Sequence, residues 1–160
     1  MEVVTTPAAL RARTVAWRRQ GHRVGLVPTM GAIHAGHLSL CERARAECPR
    51  VVASIFINPL QFGAGEDLDR YPRDPVADQE QLSAAGVECC FLPEPPSMYP
   101  RGFATRVSVE RGTERWEGAA RPAHFAGVAT VVAKLFVAAG PCRAYFGEKD
   151  AQQAQMVARL

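Results

Sequence analysis

Short, largely apolar runs at 23–27, 51–57 and 87–92, separated by segments of helical periodicity, constrain this chain more than any other feature of its sequence. A strand that is apolar along its length is covered on both faces, and alternation of such strands with helices points to an α/β fold built on a parallel sheet. The helical segments are 8–20, stopped by Gly21; 36–47, closed by Pro49; 75–85, stopped by Gly86; 124–139; and 150–160. A further strand is expected at 143–146 and a strand-like run at 105–109, with a long loop over 61–74 and a proline-rich passage from Pro93 to Pro100. In sheets of this kind ligands bind at the carboxyl ends of the strands, where strand order reverses.

A chain of 160 residues, 48% hydrophobic and 22% charged, suits one globular domain with a real core. The longest apolar run, 125–136, is broken by Lys134 and is too short to span a bilayer, and the first residues lack a secretory pattern; the chain reads as cytoplasmic, with no membrane partner. Five cysteines without Cys-x-x-Cys spacing are expected to be reduced and mostly buried, with Cys89 and Cys90 on opposite faces of a strand, and no protein metal site is evident. A net charge of +3, dispersed along the chain, gives no footprint for nucleic acid. Of the nineteen basic residues only Lys134 and Lys149 are lysine. Lys134 sits in an apolar helix and is expected to snorkel, whereas Lys149 follows a short strand, where a compact ammonium can meet a phosphate.

The chemistry concentrates in Pro28-Thr29-Met30-Gly31-Ala32-Ile33-His34-Ala35-Gly36-His37. A strand runs into a glycine-bearing turn, and the turn delivers two histidines to the start of a helix, whose unpaired N–H groups and dipole favour an anion. His34 and His37, at i and i+3, either share a face beside such an anion and donate to charge on a leaving group, or cap and pack the helix.

Other segments carry two readings each. Asn58 and Gln61 leave a strand with two amides that can read a hydroxyl and a carboxylate, or form an ordinary Asn-Pro turn. Asp67 and Asp69 could serve a divalent ion or cap a loop. Arg121 and His124 suit an anion or a mobile wall of a site, or belong to a solvated loop. Gln153 can face the same cleft as Lys149 or be exposed. Ser39 and the cysteines offer no base and nucleophile pair, so covalent catalysis has no support.

Taken together, 27–31 with 37–40, 54–62, Glu66-Asp67-Leu68 with Tyr71-Pro72-Arg73, Arg121-Pro122 with His124-Phe125 and Gly127-Val128, and 146–150 with Gln152-Gln153 resemble the pantothenate synthetases, the ATP-dependent ligases that join pantoate to β-alanine. The resemblance runs through almost the whole chain, in order. It implies a Rossmann-like sheet of the His-x-Gly-His nucleotidyltransferase type, and a reaction in which the pantoate carboxylate attacks the α-phosphate of Mg-ATP before the β-alanine amine displaces AMP.

Carried over by position, the resemblance implies ATP contacts from Met30, Gly31, Ala32, Ile33, His34, Ala35, Gly36 and His37 and from Gly147, Glu148, Lys149 and Asp150. His37 would be the proton donor, with His34 its companion and Lys149 on the phosphates. Gln61 would bind pantoate and β-alanine, and Gln153 and Met30 would bind pantoate, beside an apolar wall of Val128, Val131 and Val132. Mg2+ would be held mainly by phosphates, and the family suggests a homodimer. Ala123 and Ala151 depart from the family's usual residues without removing a catalytic group. Family members also continue through another strand, a loop that closes on ATP, and a smaller domain. On this reading 1–160 is the nucleotide- and pantoate-binding domain, the carboxyl-terminal domain is absent, and the isolated chain catalyses poorly. The rival readings are another nucleotidyltransferase of the same superfamily and a non-catalytic nucleotide-binding module.

Overall fold

Leu26 on one strand pairs with Val52 on the next, and both are wholly buried, as expected of a sheet covered on both faces. The computed structural model describes residues 1–160 apart from Ala64 and Asp67. Its sheet consists of β1 (Glu2–Val4), β2 (Val24–Thr29), β3 (Arg50–Ile55), β4 (Cys89–Phe91) and β5 (Arg143–Ala144), all parallel, in the order β1-β4-β3-β2-β5. Helices α1 (Pro7–Arg19) and α6 (His124–Ala139) pack on one face through Leu10, Trp17, Val128 and Leu135. On the other face lie α2 (Ala35–Glu47) and α3 (Pro75–Ala84), through Cys41, Ala44 and Leu82. The architecture is Rossmann-like, with the layers the sequence pattern called for.

Local chemistry sets the helix boundaries. Thr6 accepts from the Ala9 amide and Asp74 from the Ala77 amide, each just before a proline in the first turn of its helix. Shorter helical pieces are α4 (Pro95–Met98), α5 (Glu117–Ala120) and α7 (Ala151–Val157), together with a 3-10 turn at Pro59–Gln61 that starts the long loop.

Strand order reverses between β2 and β5, because the chain steps from β2 to β3 and β4 in one direction and then returns to the other side of β2. Tyr145 N donates to Leu26 O, whereas Phe56 N donates to Thr29 O. Alternate residues of β2 therefore face alternate neighbours, and Pro28 faces the β5 side with no N–H to offer. Pairing with β5 covers only Gly25 and Leu26, and beyond them a cleft opens at the strand ends.

Several expectations change. The run at 105–109 is not a strand: the Val107 amide donates to Thr130 Oγ1 of α6, so a helical side chain satisfies backbone that a ladder would otherwise have paired. Conversely β1 escaped the pattern, since three residues at the edge of the sheet are held by backbone pairing to β4. β3, β4, β5 and the last helix are shorter than expected, β4 and β5 most of all, whereas β2 runs two residues further, to Thr29. Lys134 does not simply snorkel, for its Nζ lies 4.9 Å from the ring centre of Phe103 and 5.7 Å from that of Tyr99.

The cysteines are free, four of them buried, with Cys89 and Cys90 in the two opposite core clusters. Burial pushes the Cys89 thiol up to about 12 and those of Cys41 and Cys90 to about 11, far from a reactive thiolate. Among the described residues no helix is long and apolar enough to cross a membrane.

Candidate active site

The turn between β2 and α2 is held from outside. Gly31 has φ +86° and its amide donates to Thr29 Oγ1, while Ala32 takes φ +50°, a left-handed conformation that costs a non-glycine residue about 1–2 kcal/mol. The carboxylate of Asp78, on α3 and 3% exposed, offsets that cost by accepting from Ala32 N at 3.0 Å and Ile33 N at 2.7 Å. A Cβ on Gly31 would lie 2.7 Å from Asp78 Oδ2, so position 31 is closed to side chains. The amides of Gly31, Ala32 and Ile33, implied by the resemblance to contact ATP, are therefore spent on building the turn. The Ile33 side chain is buried in the core.

Helix α2 starts with His34 as its cap. Gly36 N donates to His34 Nδ1 at 3.1 Å, which places the proton of the neutral ring on Nε2. One turn on, the His37 ring stacks on it with centroids 4.0 Å apart and planes 27° apart. His37 Nδ1 is buried without a partner. Burial holds His37 below the ordinary histidine value, the His34 and Lys149 charges push the same way, and Asp78 opposes them.

At the reversal of strand order a cavity of about 400 Å³ opens beside these rings. Its polar border comprises His34, His37, Gln61, Tyr71, Lys149 and Gln153, with Gly36, Gly147 and Asp150. Its apolar side is formed by Met30, Phe56, Val128, Val131, Val132 and Leu135. A roomier hollow of about 840 Å³ lies beyond Met30 and Phe56; proline and aliphatic residues line it together with Arg73 and the carboxylates of Asp69, Asp74, Asp78 and Glu94, without a histidine or lysine.

Gln61 is held at the cavity by a buried relay. Tyr99 Oη donates to Asn58 Oδ1 at 2.7 Å, and Asn58 Nδ2 donates to Gln61 Oε1 and to Gly127 O, each at 3.0 Å. Asn58 thus spends its amide inside the protein and does not face the cavity, so of that pair only Gln61 does. Gly127 allows the approach: a Cβ there would sit 2.2 Å from Leu60 O.

Arg121 and His124 do not present to an anion. Arg121 is bound by Glu66, Glu117 and Gln61 O, and His124 Nδ1 lies 3.0 Å from Gln61 O, so the first ties the loop to the end of α5 and the second to the start of α6. The Arg121 guanidinium pulls the Glu66 carboxyl down to about 2.

On α7 the two glutamines part company. Gln153 lines the cavity, and Gln152 donates to the carbonyls of Gly112 and Arg115. Of the expected contacts, Gly31, Ala32, Ile33, Ala35 and Glu148 lie outside the cavity lining. Three residues beside the site were not read as functional from the chain: Tyr71 and Ser54, which line it, and Asp78, whose contacts cross more than forty residues of sequence and so leave no local spacing.

Among the described residues no three His, Cys, Asp or Glu side chains group to hold a metal. Asp67 lies outside the described residues, and Asp69 accepts from Arg73 through its carbonyl.

A family model described as pantoate-beta-alanine ligase matches residues 2–160. The chain belongs to the pantoate-β-alanine ligase family. It is 59% identical to the pantothenate synthetase of Thermus thermophilus over 161 aligned positions, which cover all of this chain and 56% of that protein. With the pantothenate synthetase of Ruegeria pomeroyi it shares 56% identity over 153 residues, 96% of this chain and 54% of that one. A crystal structure of the Thermus protein superposes with a TM-score of 0.93 over 99% of this chain. The Francisella tularensis ligase, solved with beta-gamma ATP and β-alanine, also gives 0.93, at 35% identity over 99% of this chain and 61% of that one. The chain spans about half the length of the curated relatives it matches.

Proposed function

We propose that this chain binds ATP and pantoate in the cavity between β2, β5 and α6 and serves the ATP-dependent ligation of pantoate to β-alanine. The observation that carries the reading is that one cavity is bordered at once by His34, His37, Lys149, Gln61 and Gln153. In the first step a pantoate carboxylate oxygen bonds to the α-phosphorus of ATP and the bond to pyrophosphate breaks. In the second the β-alanine nitrogen bonds to the acyl carbon and AMP leaves with the carboxylate oxygen.

Negative charge grows on phosphate oxygens in the first step, where fixed donors stabilise the transition state most. His34 offers Nε2–H, His37 is poised neutral and becomes a donor when an anion raises its affinity for a proton, and Lys149 adds a full charge. Gln61 and Gln153 address hydroxyl and carboxylate oxygens, and the valines of α6 suit a gem-dimethyl body while excluding water from an acyl adenylate. Mg2+ would neutralise phosphate charge. Both Asp78 oxygens are spent on backbone amides, and the cavity border supplies Asp150 as its carboxylate, a donor set that suits an ion carried in by the phosphates.

Calorimetric titration of ATP and of pantoate onto the chain, followed by assay of pyrophosphate release with both present, tests the reading. Saturable binding of both ligands and release that depends on pantoate are expected. ATP binding without pantoate binding would assign the chain to nucleotide binding alone.

A further inference from the structure

We infer that Ser54 is a substrate-contact residue, its hydroxyl hydrogen-bonding a hydroxyl group of the hydroxy acid that fills the apolar half of the cavity; the inference rests on the reading of that cavity as the pantoate site. Ser54 lies near the end of β3, is 0% exposed, and lines the cavity together with Gln61 and the valines of α6. Its Oγ has no hydrogen-bond partner. A buried hydroxyl without a partner is costly to leave in place, and most such groups in folded proteins are satisfied.

The surroundings explain why nothing within the protein satisfies it. Strand alternation puts Ser54 on the face of Val52 and Phe56, which turn toward α6. Directly across the sheet its partner is Pro28, whose side chain carries no polar atom. The nearby Thr29 hydroxyl is committed to the Ser54 carbonyl at 2.7 Å. Facing it, α6 presents Val128, Val131 and Val132, which offer no polar atom in their side chains. Ser54 borders the cavity although its Oγ is closed to solvent, so a turn about its Cα–Cβ bond is needed to bring the hydroxyl to an occupant, and the partner that fits is one with an apolar body and a hydroxyl. Pantoate has two hydroxyls on either side of a gem-dimethyl carbon, and a serine can donate to one or accept from it.

The test compares the parent chain with Ser54→Ala and Ser54→Cys in thermal unfolding and in calorimetric titrations with ATP, pantoate and the two analogues that each lack one pantoate hydroxyl. The alanine variant is expected to unfold no earlier than the parent, to bind ATP unchanged, and to bind pantoate about tenfold more weakly. The cysteine variant keeps the volume but hydrogen-bonds weakly, and is expected to bind pantoate as the alanine variant does. One of the two analogues should bind parent and variants alike, which identifies the hydroxyl in contact. Equal pantoate affinity in parent and both variants, or a loss that persists with both analogues, overturns the contact while leaving the pantoate reading intact. A parent chain that binds ATP but no pantoate removes the functional reading and this inference with it.

Discussion

The imidazoles of His34 and His37 lie face to face at 4.0 Å, one capping the helix through Nδ1 and the other carrying a buried, unpartnered Nδ1. Stacked rings that close cannot both take a proton cheaply, and His37 is already disfavoured by burial. His37 is thus biased toward its neutral form and becomes a proton acceptor when an anion arrives.

A pH dependence follows from that arrangement. A polyphosphate opposes the lowering by burial, His34 and Lys149 and adds to the effect of Asp78, so ATP should raise the His37 pKa and binding should take up a proton. Affinity is expected to rise as pH falls through the bound-state value. In the free protein the sign is the reverse: the unfolded chain protonates His37 near about 6.5 while the folded one does not, so this residue's contribution to stability is complete above that value and shrinks as pH falls through it. Imidazole NMR titrations with and without ATP, beside unfolding curves across the same range, check both signs. A His37 pKa unmoved by ATP would remove the imidazole from the anion site.

Asp78→Asn keeps the shape of the side chain but replaces one acceptor oxygen with a donor that faces an amide. It should cost about 1–3 kcal/mol in denaturant unfolding, through the unsatisfied amide and the left-handed Ala32 it no longer holds. Amide exchange at Ala32 and Ile33 should speed up, and the His37 pKa should fall further with a favourable charge gone. Unchanged exchange at both amides would count against this role.

Lys149 is exposed beside the cavity, so Lys149→Met should leave the unfolding midpoint within experimental scatter. Removing one charged hydrogen bond, worth about 1.5–3 kcal/mol, should weaken ATP about tenfold or more and flatten the salt dependence of binding. Calorimetry at two ionic strengths reads both effects.

Gly127→Ala drives a methyl into backbone at Leu60 and disturbs the carbonyl that Asn58 holds. Overpacking of this kind costs about 1–3 kcal/mol, and here it should also weaken pantoate binding by shifting Gln61, with ATP affected less. Unfolding and paired ligand titrations separate the two consequences.

His37→Ala should lower the rate of pyrophosphate release about 100-fold or more while changing ATP affinity far less, as expected of a donor used mainly in the transition state. Rapid-quench measurement of adenylate formation together with ATP titration checks it; equal losses in both would make His37 a simple binding contact.

The layering of this protein was legible in its sequence because burial on both faces of a sheet writes a continuous apolar run, and helix stops write glycine and proline. The histidine turn, Lys149 and Gln153 were legible for a related reason, since all of them follow strand ends and strand ends meet at the reversal of order. What the sequence could not carry were contacts between distant segments. Asp78 looked like any helical aspartate until the fold set it against Ala32 and Ile33, and Asn58 looked like half of a recognition pair until Tyr99 and Gly127 enclosed it. Arg121 and His124 read equally as anion ligands, a mobile wall or solvated loop, and the loop carrying Gln61 and Glu66 engaged them instead. Periodicity and turn chemistry act over a few residues and so fix the elements, whereas the commitment of each polar group depends on which partner the packing brings within 3 Å of it, and only the tertiary structure decides that.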